Sequence, residues 1–436
     1  MTEQDIIDTV ERGRDRSLAV RAAAAHRSLG YADYLQLDKV LGAQRPQSAM
    51  FSSESHDEML FIVIHQAYEL WFKQILHELD SVNAALSLSG GKRRVADADV
   101  SVCALRTGRI CEILRVLVQQ FAVLETMSAQ GFNDFRDFLT PASGFQSAQF
   151  RTMENKLGMR PEQRVQHSGC PYYRHLAREA ERVEVLEAER ETGLLALAGA
   201  WLETLLDDCC GGFDFAAYMA DAVEQAAVHD RAAIEQYPSV RRGPAACPAT
   251  AARSRVEQKA AALEELEQKR RAHLKLFDKA AHDELIAKGA RHLSFKATMA
   301  CVFVESFALE LSLQTAHRLV SNLVEIDELI ARWRHRHSGM VLRMIGTKSG
   351  TGGSSGHAYL NAVQHKSRIF VDLCHCAHYL LPQHAMPPLP PAVRARLARR
   401  LDHADLVESP LMSRNASADA LDALASAQRH RAKSFT

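Results

Sequence analysis

The sequence lacks several features that would assign it to common classes of protein. Its 436 residues include no run approaching the roughly 20 apolar residues that a membrane-spanning helix needs. Lys plus Arg and Asp plus Glu both number 53, so the charge balance gives no reason to expect nucleic acid or an anionic membrane as a partner. Phosphate-loop, dinucleotide-binding and iron–sulfur cysteine motifs are also missing. The composition favours a soluble globular protein.

Signals for export and for disulfide bonds are missing as well. Residues 1–16 are polar and carry both signs of charge, whereas a secretory signal needs a basic start and an apolar centre. The nine cysteines are irregularly spaced without a CxxC pair, which indicates reduced core residues of a cytoplasmic protein. Cys374 and His378 lie one helical turn apart and could form half of a metal site. Helix packing is favoured for them, because no second pair of ligands is evident.

Helical spacing of apolar residues dominates the sequence, whereas the alternation typical of strands is scarce. We therefore predict an all-α fold. The clearest helical segment is 55–86, which contains neither Gly nor Pro. It begins with an S-x-x-E pattern, in which Ser55 and Glu58 are predicted to form a capping box. A second helix is predicted over residues 102–127.

Further helices are predicted over residues 172–237, 251–276 and 291–343, with a loop at 238–250. A proline cluster at 387–391 precedes two short amphipathic segments. A bundle of such helices can enclose a cavity that suits a flat apolar cofactor. The predicted regions are an N-terminal arm with the first half of the bundle at 1–174, a helical excursion at 175–289, the second half of the bundle at 290–385 and a C-terminal extension at 386–436.

Two histidines on apolar helix faces are candidate functional groups. His65 follows Phe61 by one helical turn, and such a histidine is either a hydrogen-bonded core residue or a catalytic group. His337 follows Trp333 at the same spacing, and Met344 extends that face. A neutral imidazole in an apolar slot is what a proximal haem ligand needs, and a buried structural histidine shows the same pattern.

Two loops contain candidate ligand-binding groups. Residues 348–356 are dense in glycine, which is typical either of a linker or of a loop whose backbone N–H groups approach a ligand. Thr351 would add a hydroxyl there. Arg136 lies between aromatic residues and just before a Pro/Ser/Gly turn. Its guanidinium would either pair with Asp134 or Asp137, or hold a ligand carboxylate through its planar fork.

Four sets of motifs occur together along the chain. The motifs are Tyr31–Asp38; His56–Gln74; Phe132–Arg136 with Pro141–Ser147, Gln149–Arg151 and Glu154–Lys156; and Trp333–His337 with Gly350–Gly356, Phe370–Leu373 and Tyr379–Pro382. In both order and spacing they resemble the tryptophan 2,3-dioxygenase family. The resemblance covers roughly residues 28–160 and 290–385, is weak in the excursion and is absent from the C-terminal extension.

The resemblance implies a haem protein in which His337 is the proximal iron ligand and His65 is the catalytic residue that hydrogen-bonds the indole N–H. It implies that Phe61 packs on the indole, that Arg136 holds the substrate carboxylate, and that Thr351 reaches the amino and carboxylate groups. The other implied positions are Ile62, Val63, Ile64 and Phe132 at the substrate, Ser143, Gly352 and Trp333 in the haem pocket, and Tyr31, Tyr34 and Leu35, which would reach a neighbouring subunit's site in a homotetramer.

The implied reaction adds both atoms of O2 across the indole C2–C3 bond of L-tryptophan, giving N-formylkynurenine with ferrous haem b as cofactor. Two sequence departures bear on it: Phe132 stands where some members have tyrosine, and residues 356–359 differ from the aromatic-rich version common in the family. One alternative is a haem monooxygenase of the same superfamily that acts on another indole in a secondary pathway. Another is a helical haem sensor without catalytic turnover.

Overall fold

The computed structural model describes residues 29–51, 53–87, 94–165, 170–236, 255–350, 360–362 and 367–404. Within these residues the chain is helical almost throughout and contains no extended strand, which confirms the all-α prediction. None of the helices described is both long enough and apolar enough to cross a membrane. The chain divides into two compact units, residues 1–63 and 64–436.

The described residues of the first unit form three short helices and the beginning of a long one. They are α1 (Tyr31–Leu35), α2 (Leu37–Leu41), α3 (Gln47–Met50) and α4 (His56–Leu86). The prediction of a helix over 55–86 is therefore confirmed. No residue of α1 or α2 is buried.

The capping box predicted at the start of α4 is wrong. The carboxylate of Glu58, which is 1% exposed, accepts the backbone N–H groups of Gln47 and Ser48 at 2.7 and 2.9 Å. The N–H of Ser55, which the box would have paired with Glu58, donates instead to the hydroxyl of Ser48 at 3.0 Å. The Glu58 carboxylate thus accepts hydrogen bonds from another segment instead of from Ser55. It pairs free backbone N–H groups at the start of α3 rather than at the start of α4.

The second unit begins at Ile64, within α4, and contains twelve further α-helices among its described residues. Most of the segments predicted to be helical are helical. The helices are α5 (Asp97–Leu124), α6 (Ala129–Asn133), α7 (Ala148–Leu157), α8 (Glu179–Arg190), α9 (Leu194–Cys210), α10 (Phe215–Gln236), α11 (Arg255–Leu276), α12 (Lys279–Ala287), α13 (Phe295–Ser306), α14 (Gln314–Ile345), α15 (Val371–His375) and α16 (Pro391–Ala404).

The core of this unit lies between three long helices. α5 packs along α14, and the side chain of Asn322 donates to the carbonyl of Ala104 at 2.8 Å across that interface. α4 contacts both of these helices, since the Tyr68 hydroxyl donates to the carbonyl of Leu117 on α5 at 2.9 Å and the Tyr68 ring packs on Trp333 of α14. Within the predicted excursion, α9 packs on α13 and α10 pairs with α11.

Two boundaries differ from the predictions. α5 begins five residues before the predicted start at 102 and ends three residues before the predicted end at 127. The segment 291–343 is broken after Ser306, although it contains no proline. There Phe307 packs against Phe303 with ring centroids 5.4 Å apart, and Leu313 is fully buried, so packing of these side chains turns the chain. The predicted loop at 238–250 and the second amphipathic tail segment lie outside the described residues.

Candidate active site

His337 lies on α14 among aromatic side chains that come from four helices. Its ring centroid is 5.2 Å from that of Trp333 and 6.1 Å from that of Phe121 on α5. Trp333 stacks on Phe150 of α7, with centroids 5.1 Å apart and the planes at 30°. Tyr68 of α4 packs edge-on against Trp333 at 6.1 Å. The four helices thus surround the His337 imidazole with apolar rings. These rings, Tyr68, Phe121, Phe150 and Trp333, are hereafter called the aromatic slot.

The imidazole of His337 is neutral at physiological pH. Burial, and then the nearby charge of His65, lower the pKa of His337 to about 4. Its Nδ1 atom is buried and has no hydrogen-bond partner in the described part of the chain. A buried polar atom without a partner is costly, and a neutral imidazole is the form that binds a metal. These properties fit an iron ligand that needs one lone pair in an apolar environment.

His65 lies on α4 and is exposed, so it is not a core histidine. Its charge contributes, after burial, to the lowered pKa of His337, so the two histidines that the sequence singled out interact electrostatically. The preceding residues alternate in exposure: Ile64 is buried in the core, Val63 is 45% exposed, and Phe61 and Ile62 are partly buried.

Arg136 is held between two distant parts of the chain. Its Nη2 donates to the carbonyl of Ser349 at 2.7 Å, and its side chain is only 15% exposed. The Nε atom is buried without a hydrogen-bond partner and lies 3.8 Å from Oδ1 of Asp137, too far for a hydrogen bond. Asp134 accepts instead from Gln130. The alternative pairing with Asp137 is thus present as a long ion pair without a hydrogen bond, and the remaining donors of Arg136 fit a guanidinium that can bind a ligand carboxylate.

The contact with Ser349 brings the beginning of the glycine-dense loop to Arg136. Gly350 is the last residue of that loop before a stretch outside the described residues. The predicted positions of Thr351 and Gly352 lie within that stretch. Arg136 and the chain leading into Thr351 are nevertheless adjacent, although 213 residues separate Arg136 from Ser349 in sequence.

The remaining predicted positions have local roles or lie on the surface. The Ser143 hydroxyl accepts the backbone N–H of Phe145 at 3.4 Å and caps a short 3-10 helix, Gly144–Gln146. Phe132 on α6 packs edge-on against Phe135, with ring centroids 5.4 Å apart. In the first unit, the three predicted subunit-contact residues are exposed: Tyr31, Tyr34 and Leu35.

Sequence reasoning missed part of the aromatic slot and missed a polar residue beside it. Phe121 and Phe150 were not assigned a role, although Phe150 lies in a motif that carries the family resemblance. Arg334 follows Trp333 directly and is buried, with an ion pair to Glu154 at 2.6 Å. A buried arginine so close to the candidate ligand could have been noticed from its place on the apolar face of α14.

Cys374 and His378 do not form a metal site in the structure. α15 ends at His375 and a 3-10 helix follows at Cys376–Tyr379, so the two residues do not share a regular helix face. In the described parts of the chain, no group of three or more His, Cys, Asp or Glu side chains could hold a metal ion.

Fold and site together define an all-α protein whose described residues place a buried imidazole of lowered pKa in an aromatic slot. The tryptophan 2,3-dioxygenase family model matches residues 17–380. Tryptophan 2,3-dioxygenase A of Danio rerio is 41% identical over 370 residues, which cover 85% of this chain and 86% of the relative. The enzyme of Xenopus laevis is 41% identical, with coverage of 88% and 90%. That of Bdellovibrio bacteriovorus is 38% identical, with coverage of 84% and 97%. The chain belongs to the tryptophan 2,3-dioxygenase family.

Proposed function

We propose that this protein is a haem-dependent dioxygenase that cleaves the indole C2–C3 bond of L-tryptophan to give N-formylkynurenine, the first step of tryptophan catabolism by the kynurenine route. The observation that carries the proposal is the neutral imidazole of His337 in its aromatic slot, whose Nδ1 has no hydrogen-bond partner among the described residues. Family membership supports the reaction, since the relatives that match most of this chain are named tryptophan 2,3-dioxygenases. The monooxygenase alternative is not favoured.

Haem fits the residues present. His337 would hold the iron, because its ring is neutral and one ring nitrogen lacks a partner. Trp333 and Phe121 would present apolar surface to a flat macrocycle, and the resemblance adds Ser143 and Gly352 to this pocket. When bound, ferrous haem supplies the activation of O2 that allows both oxygen atoms to enter the substrate.

The chain itself would bind and orient the amino acid. Arg136 would hold the substrate carboxylate with donors that form no hydrogen bond to Asp134 or Asp137, and Thr351 would reach the amino and carboxylate groups. His65 would accept a hydrogen bond from the indole N–H. Fixing the substrate in this way lowers the entropic barrier to attack at C2 and C3. We do not assign His65 as an obligatory base, since the indole N–H is a very weak acid.

The substrate roles of Phe61, Ile62, Val63, Ile64 and Phe132 stay predictions from the resemblance. So do a homotetrameric assembly and a cytoplasmic location. The assembly is supported by the exposure of Tyr31 and Tyr34, at 76% and 72%, on a helix that buries no residue. Light scattering of the purified protein tests it, with Tyr34→Ala as the variant expected to weaken the tetramer.

The proposed activity is tested by adding L-tryptophan in air to the purified ferrous holoprotein and following the absorbance of N-formylkynurenine. We expect product from the wild type and none from a His337→Ala variant, which removes the iron ligand. Haem-loaded wild-type protein that forms no product would contradict the proposal and would favour a haem sensor. Turnover of other indoles in preference to tryptophan would favour the monooxygenase.

A further inference from the structure

A buried ionic cluster lies beside the aromatic slot. Glu154 of α7 is 2% exposed, and its carboxylate binds three arginines. These four residues are named the Glu154 cluster. Its Oε1 accepts from Arg334 at 2.6 Å, while its Oε2 accepts from Arg164 at 2.6 Å and Arg151 at 3.0 Å. Burial alone would raise the pKa of Glu154, but the three guanidinium groups hold it well below its usual value. The three guanidinium groups therefore favour the ionised carboxylate in the folded protein.

Arg334 joins three parts of the fold through one guanidinium. It lies on α14 three residues before His337 and is 5% exposed. Its Nη2 donates to Glu154 on α7, and its Nη1 donates to the carbonyl of Ser367 at 2.7 Å. Nearby, Oδ1 of Asp327 accepts the backbone N–H of Ile369 at 2.8 Å, which fastens the same returning segment to α14.

The same face of α7 also contacts the aromatic slot. Phe150 and Glu154 are one helical turn apart and therefore share a face of α7. Phe150 stacks on Trp333, and Glu154 binds the next residue, Arg334. One stacking contact and one ion pair thus fix the end of α14 that carries His337. Loss of Glu154 would leave the buried charge of Arg334 uncompensated and would release this end of α14 from α7, whereas loss of Arg334 would leave Glu154 paired with Arg164 and Arg151.

We propose that Glu154 and Arg334 are positioning residues for His337, which hold its imidazole in the orientation that the iron requires. The inference rests on the proposed function, since it takes His337 as the iron ligand. Neither residue touches iron or substrate in this account. They act by fixing the backbone of α14 against α7 and against the segment that returns at Ser367. Groups behind a metal ligand commonly change metal affinity about 10- to 100-fold when they are altered.

The test uses two conservative variants of the holoenzyme. Arg334→Lys keeps a positive charge beside Glu154, but a single ammonium cannot reproduce the planar fork that reaches both Glu154 and Ser367. Glu154→Gln keeps the shape and removes the charge. The matched control is Glu78→Gln. Glu78 is likewise buried, at 3%, and binds Arg109 at 2.7 Å, but it lies about 20 Å from His65 along α4.

Three readouts separate positioning from general stability: the rate of haem transfer to excess apomyoglobin, the iron–histidine stretching band of the ferrous protein in resonance Raman spectra, and steady-state kinetics with tryptophan. We expect Arg334→Lys and Glu154→Gln to lose haem about tenfold faster or more and to shift the iron–histidine band. We expect kcat to fall while KM for tryptophan is unchanged, because Arg136 is untouched. The Glu78→Gln control should lower the melting temperature and leave all three readouts unchanged.

The inference is overturned if both variants lose haem at the wild-type rate with an unshifted band, or if Glu78→Gln produces the same changes. Should Glu154→Gln fail to fold, Arg334→Lys decides alone. A failure of the proposed function gives a different result. The iron–histidine band would then remain in a His337→Ala variant, independently of the results for Arg334→Lys and Glu154→Gln.

Discussion

Acid should destabilise the haem-free protein through His337. In the folded chain the pKa of this imidazole is about 4, against an ordinary value of 6.5, because burial desolvates the ring and because His65 adds a like charge. The unfolded chain exposes the ring and lets it take up a proton below pH 6.5. The folded chain does not take up that proton until the pH falls to about 4.

The sign and size of the effect follow from this difference. Above pH 6.5 the ring is neutral in both states, so His337 makes no pH-dependent contribution. As the pH falls from 6.5 towards 4, only the unfolded state is protonated, and the folded state loses stability relative to it. Because one pKa unit corresponds to about 1.4 kcal/mol, the loss from this residue is about 2 kcal/mol at pH 5 and about 3 kcal/mol at pH 4.

The assay is urea denaturation of the haem-free wild type and of a His337→Asn variant at pH 7, 6 and 5, followed by far-ultraviolet circular dichroism. The difference between the two proteins removes the titration of all other groups. We expect the wild type to lose about 2 kcal/mol relative to the variant between pH 7 and pH 5. A difference independent of pH would refute the reasoning.

Two further predictions concern single contacts. Arg136→Leu should raise the KM for L-tryptophan strongly without changing the haem spectrum, because it removes the guanidinium proposed to bind the carboxylate; an unchanged KM in steady-state assays would exclude that role. Glu58→Gln should cost about 1–3 kcal/mol in the free energy of unfolding, since the buried carboxylate that accepts two backbone N–H groups loses its charge. Urea denaturation at pH 7 measures that cost, and exposed Glu54→Gln is the control whose stability should match the wild type.

Regular helices could be predicted from the sequence, but contacts made across the chain could not. The helix over 55–86 was predictable because its apolar residues recur at helical spacing and nothing in it disfavours a helix. The capping role of Glu58 was not, because the N–H groups it accepts come from a segment that local rules do not connect to it. The break after Ser306 follows from the burial of Phe307 and Leu313. It could not be predicted, because no Gly or Pro marks it in the sequence.

The same division holds in the candidate site. The spacing of Trp333 and His337 indicated a shared helix face, and the structure places both in the aromatic slot. Two contacts could not be predicted from local sequence patterns. They are the hydrogen bond from Arg136 to Ser349, whose partners lie 213 positions apart in the sequence, and the ion pair between Glu154 and Arg334, whose partners lie 180 positions apart. Such pairings depend on how distant segments pack against one another, which local patterns in the sequence do not reveal.

The most direct test is the optical spectrum of holoprotein produced with ample porphyrin, compared between the wild type and His337→Ala. A Soret band in the wild type that is lost in the variant and partly restored by added imidazole is the result that an iron bond at this residue requires. A colourless wild type, or a variant whose Soret band is unaltered, would contradict it.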